Sequence, residues 1–243
     1  MLNAQNKWPL AFSRVALPVY FLILAAIFLV LLALDRPVTV WAGAHLSGWR
    51  PVFEIVTIPG NSKWTLVPLL ALMALAFIVS RFLPKGTRRI QATTIASVAT
   101  FLFAGVALPG ILSNLVKRLV GRARPTHFEE FGIAHFQPFS DWSFQSFPSG
   151  DTTTVFATAA VVMFFLPNFG RVLLIGAALV GFARIVLGVH FPTDVYGGVL
   201  FGTFGAYAVR NFCASRGWLF TQTADGRFVP ALNWPSAYPT AAR

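Results

Sequence analysis

The sequence predicts an all-α polytopic membrane protein, with about six transmembrane helices in a bundle and a site in the outer-face loops. Three observations predict it. Of the 243 residues, 56% are apolar and only 11% are charged, where a soluble domain carries roughly a quarter of its residues charged. The apolar residues arrive in long runs, the first of which, residues 15–34 (VALPVYFLILAAIFLVLLAL), holds no charge and is long enough to cross the hydrocarbon layer as a helix. Basic residues gather in alternate connections between the runs, as the positive-inside bias requires.

The predicted spans cover residues 15–34, 64–82, 90–117, 152–167, 171–188 and 195–212. Together they form one membrane domain, 1–212, followed by a tail, 213–243, that mixes Pro, Gly and aromatics without a period and is expected to be loosely ordered. The first run is longer than the apolar core of a signal peptide, so a retained span is expected. Lys7 and Arg14 precede it and place the N-terminus in the cytoplasm. The connection holding Arg81, Lys85, Arg88 and Arg89 then falls inside, as do the turn at 167–171 and the tail from Arg210. The outer side receives 35–63, with the turn signal Pro59-Gly60-Asn61 and with Trp41 and Trp49 suited, like Trp64, to an interfacial belt. It also receives the long connection 121–150 and a short one centred on His190.

The net charge of +11 is accounted for by membrane-edge cations. No basic stripe interleaved with aromatics lies on a soluble segment, which argues against a nucleic-acid partner. The single Cys213 excludes an intramolecular disulfide and a cysteine metal cluster.

One segment breaks the charge rule. Lys117, Arg118, Arg122 and Arg124 fall on the outer face, and four cations there ask for a reason other than topology. An anion site supplies one. Two further polar stretches share that face: Phe147-Pro148-Ser149-Gly150-Asp151-Thr152, and the stretch from Arg184 through His190 to Asp194. Guanidinium forks and an ammonium grip phosphate oxygens. Pro148-Ser149-Gly150 precedes an apolar run and should open a helix whose free N–H groups form an anion cradle. Pro192 is suited to the first position of the last helix, which leaves His190 and Phe191 extended before it. Asp194 then sits in the first turn, where its carboxylate can accept the imidazole N–H and leave the other nitrogen free to attack phosphorus.

With these residues in view, the chain resembles the type 2 phosphatidic acid phosphatases, whose pattern is K-x6-R-P, then P-S-G-H, then S-R-x5-H-x3-D. Lys117, Arg124 and Pro125 match the first motif, and Arg184, His190 and Asp194 the third. The resemblance implies that His190 is the nucleophile and forms a phosphohistidine, that Asp194 orients it, and that Lys117, Arg124, Ser149, Gly150 and Arg184 bind phosphate. It implies no metal and no other cofactor. The implied partners are membrane lipids and a lipid phosphate or diphosphate substrate, met at the outer leaflet of a bacterial-type inner membrane.

Two positions depart from the pattern. Ala183 stands for the serine before Arg184, and Asp151 stands for the histidine of the second motif, which in the family is thought to protonate the departing oxygen. A carboxyl group of ordinary acidity is almost wholly ionised at neutral pH. Four readings of Asp151 follow: an acid protonated in the substrate complex; a substrate whose leaving group needs no proton, such as a polyprenyl diphosphate; a proton supplied by His127 or His135; or loss of catalysis. The function expected is a metal-independent lipid phosphatase. A lipid phosphotransferase of the same chemistry and a non-catalytic lipid-phosphate binder or transporter are the alternatives.

Overall fold

The computed structural model describes residues 3–9 and 16–232; Arg14, Val15 and tail residues 233–243, all part of the expectations above, lie outside the described residues. The chain forms helices α1 (Leu17–Leu46), α2 (Arg50–Val56), α3 (Lys63–Phe82), α4 (Thr87–Val120), α5 (Phe128–Phe131), α6 (Gly150–Met163), α7 (Pro167–Val186) and α8 (Pro192–Ser215). Strands β1 (Phe220–Gln222) and β2 (Phe228–Pro230) follow as an antiparallel hairpin. The helical membrane reading holds, and α1, α3, α4, α6, α7 and α8 fall in order at the positions of the six expected spans.

Among the described residues, four helical stretches are long and apolar enough to cross a bilayer: 17–56, 63–82, 87–120 and 167–186. The other two of the six are different in kind. α6 has 14 residues, about 21 Å at 1.5 Å per residue, shorter than the ~30 Å hydrocarbon layer. α8 carries Thr, Asn and four glycines among its 24 residues. Both pack in the middle of the bundle between α4 and α7, so they need not be apolar all round. Their approach is close. A Cβ on Gly198 would come 2.6 Å from the Ser149 carbonyl oxygen, and one on Gly202 would come 2.4 Å from that of Thr153. Small residues at such a crossing let two backbones meet, as is usual inside membranes. Below the crossing, Phe101, Val106, Val161, Phe164, Tyr207 and Phe220 form the main apolar core.

Three boundaries differ from the expectation. The first helix does not end at residue 34; it continues through Asp35 and Pro37 to Leu46. The charge there is buried and paired rather than solvated, so it does not terminate the apolar helix. The turn expected at 167–171 is instead the start of α7, with Pro167 in its first turn, where a missing N–H costs nothing. The tail is ordered through its hairpin: Phe220 and Phe228 are buried, and Phe228 N–H donates to the Gln5 carbonyl. Trp41, Trp49 and Trp64 are all exposed, as an interfacial belt asks.

Candidate active site

At one end of the bundle a cavity of about 550 Å³ is lined by Lys117, Arg124, Gly150, Asp151, Arg184 and His190, together with Asn61, Trp142 and Gln145. Its wall continues along Leu66 of α3 and Phe103, Val106, Ala107 and Ile111 of α4, so a cationic mouth joins an apolar flank. Six of the eight residues predicted for the site therefore meet at one cavity. Ser149 and Asp194 lie behind that surface, each fully buried.

The cations that broke the charge rule are explained by burial. Lys117, Arg122 and Arg124 are 7%, 4% and 4% exposed, whereas Arg81, Lys85 and Arg88 at the far end of α4 are exposed. Arg118, the fourth, is exposed and takes no part in the site. Lys117 occupies the last turn of α4, which Gly121 ends in a left-handed conformation at φ 61°. A Cβ on Gly121 would sit 2.1 Å from the Gln137 carbonyl oxygen, so only glycine lets the loop turn back over the helix end. Arg124 is held by the carbonyls of Trp142 at 3.1 Å and of Gln145 and Val189 at 3.4 Å, with its guanidinium 3.8 Å from the centre of the Trp142 ring. Burial, with the Arg184 charge adding, lowers the Arg124 pKa to about 10, which leaves it cationic at neutral pH.

Ser149 precedes α6, and Gly150 opens it at the cavity. The Ser149 N–H donates to the Asp194 carbonyl at 2.9 Å, which ties the start of α6 to the start of α8. An added Cβ on Gly150 would lie 3.4 Å from Lys117 Nζ, so the bare glycine leaves room beside the ammonium for an anion. Asp151 faces the cavity and forms an ion pair with Arg184, Oδ2 to Nη1 at 3.2 Å. A Cβ on Gly60 would approach the Asp151 Cβ to 2.8 Å, so the turn before α3 packs directly on this residue.

His190 is buried, and its Nδ1 has no hydrogen-bond partner. The nearest acceptor is Asp194 Oδ2 at 3.7 Å, beyond hydrogen-bond reach. The pairing expected from the sequence is present as proximity only. The physical reason is that the Asp194 carboxylate is already engaged. Oδ2 accepts from Ser146 Oγ at 2.6 Å and from the Phe191 N–H at 2.7 Å, and Oδ1 accepts from Arg122 Nη1 at 2.7 Å. Burial, with help from Lys117 and Arg124, lowers the His190 pKa to about 3 although Asp194 pulls it upward. The imidazole is neutral at physiological pH.

His127 and His135, considered as proton donors, do not line the cavity. His127 stacks on Phe144 with centroids 5.1 Å apart, and His135 on Phe131 at 4.3 Å, within one aromatic cluster of the loop between α4 and α6. Sequence reasoning missed Asp35, Ser146, Trp142 and Gln145. Asp35 had a legible signal, as the first acidic residue of the chain at the edge of its most apolar run.

Fold and site together define a helical membrane protein with a cationic cleft and a neutral, buried histidine at its edge. Comparison with known proteins narrows that class. A profile described as PAP2 superfamily matches residues 98–218. The lipid A 1-phosphatase of Rhizobium etli is 33% identical over 89% of this chain and 95% of its own length, and that of Rhizobium johnstonii is 34% identical over 89% and 86%. Phosphatidylglycerophosphatase B of Bacillus subtilis is 33% identical over 42% of the chain and 51% of its own length. The crystal structure of the transmembrane PAP2-type phosphatidylglycerolphosphate phosphatase from Bacillus subtilis superposes with a TM-score of 0.54, at 23% identity, over 79% of this chain and 94% of that one. The chain belongs to the PAP2 superfamily, and it is an enzyme, a phosphatase of that family.

Proposed function

We propose that this protein removes phosphate from a membrane lipid at the outer leaflet, through a phosphohistidine formed on His190. The observation that carries the reading is the convergence of Lys117, Arg124, Arg184 and neutral His190 on one cavity whose wall runs on into apolar α3 and α4 residues. A phosphate is neutralised at the mouth while its lipid tail lies along Leu66, Phe103 and Ile111. With Nδ1 turned toward Asp194, Nε2 attacks phosphorus and the bond to the lipid oxygen breaks. Three cations around the phosphoryl oxygens stabilise the charge of that step. Water then cleaves the N–P bond, releasing inorganic phosphate and restoring His190. Exposed Arg81, Lys85 and Arg88 at the opposite end of α4 support placing the site on the outer side.

The Asp151–Arg184 pair favours one of the readings of Asp151. The Asp151 carboxylate is engaged with the Arg184 guanidinium at 3.2 Å, so its role here is to position Arg184 rather than to deliver a proton. A substrate with a stable leaving group suits such a site. The relatives named lipid A 1-phosphatase point to a glycosyl phosphate, whose departing hemiacetal oxygen is more acidic than an ordinary alcohol; a lipid diphosphate is the other member of this class.

The test is phosphate release by purified protein from lipid A, undecaprenyl diphosphate, phosphatidylglycerol phosphate and phosphatidic acid. Release from the first two above the last two, lost in His190→Ala, supports the reading. Turnover surviving in His190→Ala overturns the histidine mechanism, and lipid-to-lipid transfer without free phosphate makes the enzyme a transferase.

A further inference from the structure

The helix α1 lies at the edge of the bundle and is mostly exposed, with Phe21, Leu22 and Leu29 each more than 60% exposed. Of its 30 residues only Asp35 and Ala42 are buried. A fully buried carboxylate on a peripheral apolar helix is costly, and such residues in membrane helices mark function and have an identifiable partner. Here the partners are defined. Asp35 Oδ2 accepts from Arg122 Nη2 at 2.7 Å and from Thr193 Oγ1 at 2.6 Å, and Oδ1 accepts from the Thr193 N–H at 2.9 Å. Arg122, 4% exposed, bridges Asp35 and Asp194 with its two terminal nitrogens, while the Ile133 carbonyl accepts from Nη2 and Nε. The Phe191 ring lies under the guanidinium at 4.5 Å. None of Asp35, Arg122 or Thr193 lines the phosphate cavity.

From this geometry we infer that Asp35 is a positioning residue for the phosphoryl-transfer step, acting on His190 through Arg122 and Asp194. One guanidinium is shared between two carboxylates, so Asp194 is held in place without being fully neutralised. It keeps negative charge to face Nδ1 as the attacked imidazole becomes cationic. Asp35 also fixes the first turn of α8 through both Thr193 donors, and that turn carries Asp194. Without Asp35, Arg122 belongs to Asp194 alone, and the charge opposing the imidazolium is reduced. The effect belongs to the transition state, because Lys117, Arg124 and Arg184 bind phosphate without contact with Asp35.

The inference rests on the proposed role of His190 as nucleophile, and the test separates the two. In Asp35→Asn, kcat for phosphate release should fall roughly 10–100-fold, the range typical of residues that orient a ligand from behind. KM and the inhibition constant for inorganic phosphate should stay within about twofold, and Asp35→Glu should recover part of the loss. A purely structural role would instead lower the melting temperature and the active fraction, with kcat per folded molecule unchanged. That result, or a phosphate inhibition constant that worsens in step with kcat, overturns the inference. Should Asp35→Asn fail to fold, Arg122→Lys keeps the charge but cannot bridge both carboxylates, and the same selective loss of kcat is expected; an unchanged kcat overturns the inference. Turnover that survives in His190→Ala would remove the reading beneath it, whatever Asp35 does.

Discussion

Asp151 Oδ2 lies 3.2 Å from Arg184 Nη1, so the first turn of α6 and the last turn of α7 are joined by an ion pair at the mouth of the cavity. Arg184 has a second feature: its Nε is buried without a partner. The guanidinium is thus held at one nitrogen by a carboxylate and left unsatisfied at another. On the proposed reading, an arriving phosphate meets an arginine already partly neutralised by the protein's own anion.

Removing that anion should strengthen phosphate binding. Asp151→Asn keeps the shape and deletes the charge, and an ion pair at this degree of exposure is worth no more than about 1 kcal/mol. Inorganic phosphate should then inhibit about two- to fivefold more tightly in Asp151→Asn than in the wild-type protein, measured by competition at fixed ionic strength. Weaker inhibition would mean that the ordering of Arg184 by Asp151 outweighs the charge that Asp151 cancels.

Asp151→His tests the leaving group. An imidazolium can protonate a departing alkoxide, a step commonly worth 10²–10⁴-fold, and a hemiacetal or phosphate needs that help least. Turnover on phosphatidic acid should rise by tenfold or more relative to turnover on lipid A or undecaprenyl diphosphate. Equal changes on all four substrates would count against a site specialised for stable leaving groups.

The lowered His190 pKa has a consequence for stability. Between the ordinary histidine value of 6.5 and the folded value of about 3, the unfolded chain binds a proton that the folded one does not. Stability is therefore fully present above about pH 6.5 and declines as pH falls toward 3, by on the order of 2 kcal/mol at pH 5. Thermal melts in detergent should show this loss in the wild-type protein and a smaller one in His190→Ala. Equal losses would place the acid sensitivity elsewhere.

Much of this site could be read from the chain because its residues are local to helix ends. Lys117 and Arg124, Ser149 and Gly150, and Arg184, His190 and Asp194 sit in short polar stretches, and apolar runs make such stretches conspicuous. What the sequence hid is long-range. Asp35 meets Arg122 and Thr193 across 87 and 158 positions, and no periodicity reports that. The same residue hid the true end of α1, since an acidic residue after an apolar run reads as a loop unless its buried partner is known. The hairpin at 220–230 is hidden for a similar reason: its order comes from Phe220 and Phe228 packing on the bundle, not from any local pattern.

Gly150 tests the anion cradle. Its missing side chain leaves the space beside Lys117 Nζ, and a Cβ there would stand at 3.4 Å, close but not clashing. Gly150→Ala should fold with an unchanged melting temperature while kcat/KM falls about tenfold, mostly through KM, a loss of about 1.4 kcal/mol of binding. A melting temperature lowered by several degrees with KM intact would assign the glycine to helix packing instead.

Arg210 should separate stability from catalysis. It is fully buried at the end of the bundle away from the cavity, where its guanidinium donates to the carbonyls of Ala4, Asn6 and Lys7 and packs against the rings of Phe164, Tyr207 and Phe228. One side chain thereby joins residues 3–9, α8 and the hairpin. Arg210→Met keeps the apolar stem but strands the carbonyls of Ala4 and Asn6, each at a cost of about 1–3 kcal/mol when water cannot reach it, while Asn211 Nδ2 still donates to that of Lys7. Water can enter as the N-terminal segment lifts, so the net loss should be about 2–4 kcal/mol. The expected outcome is a melting temperature several degrees lower, faster proteolysis within residues 3–9 and 218–232, and kcat/KM unchanged below the transition. A selective fall in kcat with protease resistance retained would show that this end of the bundle is coupled to the phosphate site through α8.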